Sequence, residues 1–341
     1  MSTELRPEAE LDEAEPRSSS EGGATLAERL RFPITPVVGA YLAVLLLMIV
    51  STVVSSDFLT TDNLTNILRQ AAPLAIVAFG QTVVILAGGL DVSVGAVMSL
   101  ATVVAANVME GDPSKVLPTV LIVLALSAAV GAINGFLIGY LRADAFVTTL
   151  AMMLIIAGGV LVYTQGAPSS NLTKGFRDIS EGDSLGLPNG IFFATLVFVV
   201  VWFALRRTVW GRRVYAVGAN PRVALLTGQP GPRTVMRCYV ICSFLAGAAG
   251  LLLVARLGSG DVNAGDGWEL DAIAAVLIGG TVFGGGRGGV TGTIAGVLVL
   301  TVLFNLVGLL AFPDWVQLIV RGLVIVLGVA MYSRRITTAR V

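Results

Sequence analysis

Residues 70–109 read QAAPLAIVAFGQTVVILAGGLDVSVGAVMSLATVVAANVM, and Asp91 is the single charged residue among them. It separates an uncharged run ending at Leu90 from another beginning at Val92, and each run is about as long as a membrane-spanning helix, which needs roughly 17–25 residues. Glycines on both sides of the aspartate permit a sharp change of chain direction. The stretch therefore predicts two consecutive membrane spans joined by a short glycine-rich break.

The rest of the chain has the same character. Of its 341 residues, 55% are hydrophobic and 13% are charged, with a mean hydropathy of +0.85, whereas about a quarter of the residues of a soluble domain are charged. The absence of histidine excludes Ser-His-Asp triads and His-ligated metals. Cys238 and Cys242 are too few for a thiolate cluster and are expected to be packing residues. The sequence predicts an all-α integral membrane protein.

Gaps between charged residues give the organisation of the chain. They predict about ten transmembrane helices at 37–55, 72–88, 94–109, 118–140, 146–164, 189–205, 238–255, 272–284, 290–311 and 315–332. An even number of spans places both termini on one side. With that side cytoplasmic, sixteen of the 22 Lys and Arg residues lie inside, five lie outside and Arg321 stays in the membrane. This agrees with the excess of positive charge in cytoplasmic loops and predicts cytoplasmic N- and C-termini.

The N-terminal segment differs in composition from the rest of the chain. Residues 1–31 hold eight acids and few large apolar side chains, which predicts a disordered acidic cytoplasmic tail. Residues 32–341 form the predicted transmembrane domain, with a long cytoplasmic loop at 206–237.

Helix signals stand close together in this loop. Asn220 suits an N-cap, Pro221 suits the first helical position and Gly228 suits a left-handed position after the helix. A helix of about two turns is too short to span a membrane or to be stable alone in water. Two interpretations remain: a capped linker lying on lipid headgroups, or a segment that docks into a cytoplasmic protein.

Asp91 also has two interpretations. A carboxylate inside a membrane is costly unless it is hydrogen-bonded. Asp91 or Ser93 could cap the first amides of the following helix, or the segment could act in gating or line the transport pathway.

A second glycine-rich break covers residues 279–292, after the short predicted span 272–284. Interrupted segments in both halves of a chain are typical of a transporter's substrate route, although close packing of helices through small residues explains the glycines equally well. The spans of 72–164 and 238–332 run in opposite directions, so the two halves could form an inverted repeat.

The sequence offers little machinery for driving transport. A phosphate-binding loop needs Gly-x-x-x-x-Gly-Lys-Ser/Thr, and neither Lys115 nor Lys174, the only lysines, lies in such a motif. An ion-coupled carrier usually keeps ionisable residues in mid-membrane, where only Arg321 lies deep and Asp91 lies at an edge. Sodium coupling through backbone carbonyls stays open. The simpler interpretation is that a separate ATPase acts through the short cytoplasmic helix.

Four motifs, in order and spacing, resemble the membrane-spanning permeases of bacterial ABC importers of the ribose/xylose type, which share a superfamily with branched-chain amino-acid permeases. They are Gly89-Leu-Asp-Val-Ser-Val-Gly95, Ala145-Phe-Val-Thr-Thr-Leu150, Gly211 to Gly228, and Asp271 to Thr281 with Gly285-Gly-Arg-Gly288. The resemblance covers residues 60 to 332. It implies a monosaccharide importer in the bacterial plasma (inner) membrane, and the aspartate of the first motif favours sugar over amino acid.

The resemblance also implies partners: ABC ATPase subunits that bind ATP-Mg, an extracytoplasmic sugar-binding protein, and a second permease copy or a paralogue in the lipid membrane. No nucleic acid partner, bound cofactor, metal or catalytic residue is expected, so the chain itself is not predicted to be an enzyme. The alternatives are an ABC permease for another small solute such as a branched-chain amino acid or a polyol, an ion-coupled secondary carrier, and a scaffold or channel without energy coupling.

Three sets of residues are the predicted sites. The ATPase-coupling set is Arg212, Arg213, Asn220, Pro221, Arg222, Ala224, Leu225 and Gly228. The gate or signature set is Gly89, Asp91, Ser93 and Gly95. The candidate pathway set is Gln81, Asn134, Thr148, Thr149, Gly279, Gly280 and Asn305, for which interhelical hydrogen bonding is the simpler role.

Overall fold

A computed structural model describes residues 35–167, 170, 172–313, 315–323 and 326. The predicted acidic tail, residues 1–31, lies outside the described residues, as does most of the C-terminal part of the predicted span 315–332.

Helices make up most of the described chain. They are α1 (Pro36–Val54), α2 (Thr61–Leu86), α3 (Val94–Met109), α4 (Val116–Gly139), α5 (Ala145–Thr164), α6 (Lys174–Glu181), α7 (Asn189–Arg207), α8 (Val209–Ala219), α9 (Pro221–Leu226), α10 (Gly231–Leu257), α11 (Trp268–Ile278) and α12 (Val290–Leu309). Residues 315–323 are also helical. A 3₁₀ turn (Pro113–Lys115) precedes α4, and a two-residue hairpin of β1 (Asp183–Ser184) and β2 (Leu187–Pro188) lies between α6 and α7.

Seven helical segments in the described residues have the length and apolar composition to cross a membrane; α3 is apolar but has 16 residues. The predicted boundaries are wrong in three places. Helix α2 begins at Thr61 and α10 at Gly231, earlier than predicted, because their first turns carry charged residues that counting uncharged runs leaves out. The predicted span 272–284 is also wrong at its end, since α11 stops at Ile278. The number of ten crossings and the side of the termini stay predictions.

The helices form an inner group and an outer group. Most of the apolar segments of α2, α10 and α12 are buried inside the protein, whereas about a fifth of α1, α4, α5 and α7 is buried. Helix α10 packs against α2, α3 and α4, and α12 packs against α1, α2 and α11. The outer helices therefore present apolar faces to the surroundings, as lipid-facing helices do.

Helices α4 and α10 approach each other through a stripe of glycines. A methyl group added to Gly131, Gly135 or Gly139 would lie within about 2.5–2.8 Å of backbone atoms of α10. This spacing of small residues every fourth position allows close packing of membrane helices. Close packing through small residues thus joins α4 to α10.

Helices α2 and α10 run in opposite directions. Gly80 packs against the backbone of Cys242, and the Tyr239 hydroxyl donates to the carbonyl of Leu90 at 3.1 Å. Residues later in α2 therefore contact residues earlier in α10, so the two helices end at opposite ends of the bundle. The break after α2 and the loop after α10 consequently start from opposite ends, which the predicted inverted repeat requires.

The loop after α10, residues 258–267, runs back along α3. Thr102 Oγ1 donates to the Asp261 carbonyl at 3.0 Å, and the Gly265 amide donates to Ser99 Oγ at 2.9 Å. The loop thus descends along about one turn of α3, so that α11 begins inside the bundle. With 11 residues, α11 covers about 16 Å.

Candidate functional site

The break between α2 and α3 is held by buried hydrogen bonds. Asp91 Oδ1 accepts from the Ser93 amide at 2.9 Å and from Ser93 Oγ at 2.6 Å, and Oδ2 accepts from Ser243 Oγ at 3.4 Å. All three residues are fully buried. These donors offset part of the cost of a carboxylate removed from water.

Three of the candidate pathway residues surround this aspartate. Asn134 Nδ2 donates to Ser93 Oγ at 3.0 Å, and the Val92 amide donates to Thr149 Oγ1 at 3.1 Å. With its amide oriented to satisfy both partners, Gln81 donates to the Asp91 carbonyl at 3.2 Å and accepts from the Asp91 amide at 3.3 Å. Side chains from α2, α4, α5 and α10 therefore hold residues 90–93 by hydrogen bonds to backbone and side-chain atoms. We call the chain between α2 and α3, residues 87–93, the first break.

Other predicted residues of this group lie elsewhere or act differently. Ser93 precedes α3 but its side chain caps no helix amide, and the Asp91 carboxylate accepts the Ser93 amide instead. Thr148 is only partly buried on α5. Asn305 exchanges two hydrogen bonds with Asn63, at 2.8 and 3.1 Å, far along the chain from the first break. Polar residue type alone did not reveal these partners.

The start of α3, directly after the first break, touches the loop after α10. A methyl group added to Gly95 would lie 2.6 Å from the Gly265 carbonyl oxygen and would collide with the Glu269 carboxylate. Glycine at position 95 is therefore required by close packing, which places the start of α3 against the start of α11.

The second break, residues 279–289, connects α11 to α12 mainly through backbone contacts. The Val282 amide donates to the Arg287 carbonyl at 2.9 Å, and the Gly289 amide donates to Thr281 Oγ1 at 3.2 Å. At its start, Gly279 packs directly on the backbone of Gly292, and Gly280 has a positive φ of 84° beside Pro36. These two glycines have packing roles.

Both breaks meet helix α8 at Gly218. The Gly286 amide donates to the Leu86 carbonyl at 2.9 Å, which joins the second break to the end of α2. A methyl group added to Gly218 would collide with the Leu86 carbonyl and would lie 2.8 Å from the Gly286 amide nitrogen. Gly285 lies against both Gly218 and Gly88. We call this meeting point of α8 and the two breaks the junction.

Tyr215, one turn before Gly218 on α8, adds a side-chain contact to the junction. Its hydroxyl donates to the Gly288 carbonyl of the second break at 3.0 Å. Helix α8 is thus bonded to the second break and packed on the first.

Helix α9 follows α8 directly and forms as the sequence predicts. The Asn220 side chain accepts from the amides of Arg222 and Val223 at 3.0 and 3.1 Å, and Pro221 occupies the first helical position. Gly228 follows the helix with a φ of 73°. The predicted short helix is confirmed, with its cap.

The exposed face of α9 differs from the predicted docking residues. Ala224 is 3% exposed and lies against the protein, so its side chain is not on the exposed face, and its part in ATPase coupling stays a prediction. Leu226 is 86% exposed, and Val223 and Leu225 are more than half exposed, as is typical of an apolar contact surface. Helical spacing explains this, because Ala224 lies on the face turned toward α8. Nearby, Arg212 and Arg222 are exposed and Arg213 is partly buried.

A buried ion pair that the sequence analysis missed anchors α11. Arg321 Nη2 donates to Asp271 Oδ2 at 2.8 Å, and Arg321 Nε lies 2.6 Å from Asp271 Oδ1. The Arg321 guanidinium also lies 5.6 Å from the centre of the Phe304 ring. An arginine in an apolar segment needs a buried partner, and this rule could have directed attention to Asp271.

Among the residues that the structure describes, no group of three Asp, Glu, His or Cys side chains is arranged to hold a metal ion. The candidate site is therefore a set of packed contacts between helix α8 and two chain breaks.

A family model described as the permease component of branched-chain amino acid transport systems matches residues 63–329. The ribose import permease protein RbsC of Escherichia coli (strain K12) is 39% identical over 301 residues, covering 86% of this chain and 92% of the relative. The protein of the same name from Bacillus subtilis (strain 168) is 38% identical, over 87% and 92%.

The galactose/methyl galactoside import permease protein MglC of Escherichia coli (strain K12) is 33% identical over 314 residues, covering 86% of this chain and 93% of the relative. The search of solved structures gave no significant match.

Proposed function

Because the chain belongs to the family of permease components of branched-chain amino acid transport systems, we propose that it is the transmembrane subunit of an ATP-driven importer. It is a multi-pass protein of the inner membrane, in keeping with its seven candidate membrane-spanning helices.

The proposed cargo is a monosaccharide of the pentose or hexose class. Relatives that share 33–39% of their residues with this chain, over nearly their whole lengths, are import permeases for ribose and for galactose or methyl galactoside. The aspartate of the Gly89–Gly95 motif, which favours a sugar in the sequence, is fully buried and hydrogen-bonded in the structure.

The energy is proposed to come from separate ATPase subunits that bind ATP-Mg and dock on α9. Three observations support α9 as the contact: it is short, it is attached to α8 by a capped turn, and Val223, Leu225 and Leu226 point away from the protein. The arginines concentrated in residues 206–237 support a cytoplasmic location for this end.

The other end is proposed to receive an extracytoplasmic sugar-binding protein. It carries α6 and the small hairpin, which Arg69 joins to α2 by an ion pair with Asp183 at 3.1 Å. A second copy of the chain, or a paralogue, would complete the pathway.

The junction is the observation on which the mechanism depends. A displacement of α9 reaches Gly218 through α8, and at Gly218 the first and second breaks are both in contact with α8. Closure of the ATPases would therefore move both breaks together and open the route between α2, α3, α11 and α12. In this scheme Gln81, Asn134 and Thr149 hold the first break in shape, since their hydrogen bonds are made to it.

Leu226→Glu tests the docking assignment. A charge on the most exposed of the large apolar side chains of α9 should weaken binding of the ATPase subunit at least tenfold, because burying a leucine stabilises a contact by about 1.5–3 kcal/mol. The measurement is retention of the ATPase by the purified permease.

Leu185→Glu is the matched control, since Leu185 is 93% exposed in the hairpin that joins α6 to α7. It should retain the ATPase fully. If Leu226→Glu binds the ATPase as tightly as the parent, α9 is not the contact.

A further inference from the structure

A cavity of about 470 Å³ lies between the end of α4, the start of α8 and the first turns of α10. Its polar lining consists of Tyr140, Trp210, Arg233 and Arg237, and its remaining lining is apolar. It is lined by Trp210 in the first turn of α8, whereas the junction lies at the other end of that helix, and it shares none of the residues that join α8 to the two breaks.

The donors around this cavity have no acceptors in the described part of the chain. Arg233 and Arg237 stand one turn apart on α10, both exposed, and neither takes part in an ion pair there. The indole N–H of Trp210 is buried and has no hydrogen-bond partner among the described residues. Among the described residues, these two guanidinium groups and this indole N–H therefore have no anion or carbonyl as a hydrogen-bond acceptor.

A strip of apolar side chains, which we call the apolar lane, continues from the cavity along α10. Ile241 lines the cavity one turn beyond Arg237, and Phe244 is 40% exposed on the same side of α10. On the facing helix, Tyr140 stacks on Phe136 with ring centroids 5.6 Å apart. Gly139 contacts Pro232 and Gly135 contacts Met236, so these two rings lie at the level of Arg233 and Arg237. Phe244 lies deeper along α10, about two turns beyond Arg237.

We propose that this groove binds one anionic phospholipid, with its phosphate on Arg233, Arg237 and Trp210 and an acyl chain along Ile241 and Phe244. Guanidinium groups form paired hydrogen bonds with phosphate, and basic pockets between membrane helices bind anionic headgroups. The apolar lane favours a lipid over a soluble phosphate. The proposal needs only that the chain spans a membrane, so it stands apart from the identity of the cargo.

Tryptophan fluorescence in vesicles tests the site. The full chain is reconstituted in vesicles of ordinary phosphatidylcholine. One set of vesicles also contains a small fraction of brominated phosphatidylglycerol, and the other contains the same fraction of brominated phosphatidylcholine. Bromine on the acyl chains quenches the fluorescence of nearby indoles. The chain has four tryptophans, so the Trp210→Phe variant gives the signal to subtract. Brominated phosphatidylglycerol should quench the Trp210 signal more strongly than brominated phosphatidylcholine at the same fraction.

Charge substitutions and competitors give the remaining arms. The double variant Arg233→Gln/Arg237→Gln should raise the phosphatidylglycerol fraction for half-maximal quenching about twenty-five-fold, roughly fivefold per arginine. Arg207→Gln, which removes an exposed arginine outside the cavity, should leave the half-maximal phosphatidylglycerol fraction unchanged. Equal quenching by the two lipids, or an unchanged double variant, overturns the site.

Two further results also overturn the lipid assignment. Relief of quenching by millimolar glycerol 3-phosphate would mean that a soluble phosphate occupies the groove. Quenching that develops only after residues 1–31 are removed would assign the groove to the acidic tail.

Discussion

The two breaks are non-helical segments of a membrane protein, and different kinds of contact hold them in place. In the first break, side chains from four helices hydrogen-bond to residues 90–93, and Asp91 is fully buried among them. In the second break, backbone amides and carbonyls bond to one another, and Gly285, Gly286 and Gly288 adopt positive φ angles. Both breaks lie against Gly218 of α8.

The difference predicts how each break responds to substitution. A break held by side chains should tolerate a side chain of the same shape and hydrogen-bonding capacity but not an apolar one. A break held by close backbone contacts should tolerate no added atoms, yet should lose little when a single side-chain bond is removed.

The largest effect is expected at the contact that the two breaks share. Gly218→Val adds atoms where the Leu86 carbonyl and the Gly286 amide already touch the backbone. Thermal unfolding of the purified chain should show a loss of about 3 kcal/mol, typical of severe overpacking, and most transport should be lost.

Ala216→Val is the control, because Ala216 is exposed on the same helix. A Gly218→Val protein as stable and active as the Ala216→Val protein would show that the junction is not tightly packed.

An intermediate effect is expected in the first break. Asp91→Leu leaves the Ser93 amide and the Ser243 hydroxyl without their acceptor, at a cost of about 2 kcal/mol. Asp91→Asn keeps one oxygen for the Ser93 amide and should lose less than half as much stability, with transport close to that of the parent.

These two variants are compared by thermal unfolding and by sugar uptake. If Asp91→Asn is stable but inactive, the negative charge itself is needed for gating, and the structural role alone is insufficient.

The smallest effect is expected in the second break. Tyr215→Phe removes the hydrogen bond from α8 to the Gly288 carbonyl, which is worth about 1 kcal/mol. The transport rate should fall less in Tyr215→Phe than in Asp91→Leu. If Tyr215→Phe loses as much stability and transport as Gly218→Val, this one side chain, and not backbone packing, holds the second break.

Local sequence signals were sufficient for part of the fold. The cap, the first proline and the final glycine of α9 lie within nine residues, so their chemistry could be interpreted without tertiary information. The family predicted from the four motifs is confirmed by the match to residues 63–329.

Contacts between distant residues could not be predicted in the same way. Asp271 and Arg321 are fifty positions apart, and only the packing of α11 brings them together. The polar residues Gln81 and Asn134 were identified by type, whereas their partners are the Asp91 backbone and the Ser93 hydroxyl in the first break. The inward orientation of Ala224 depends on how α9 sits on α8.

Uptake into sealed vesicles, measured with defined components, tests the central claim that an external ATPase moves both breaks through α8. The purified chain with its ATPase, binding protein and ATP should accumulate sugar, and the same complex carrying Leu226→Glu should not. The chain alone, under a proton or sodium gradient, should accumulate none. Accumulation against a sugar gradient by the chain alone, driven by either ion, would contradict the account.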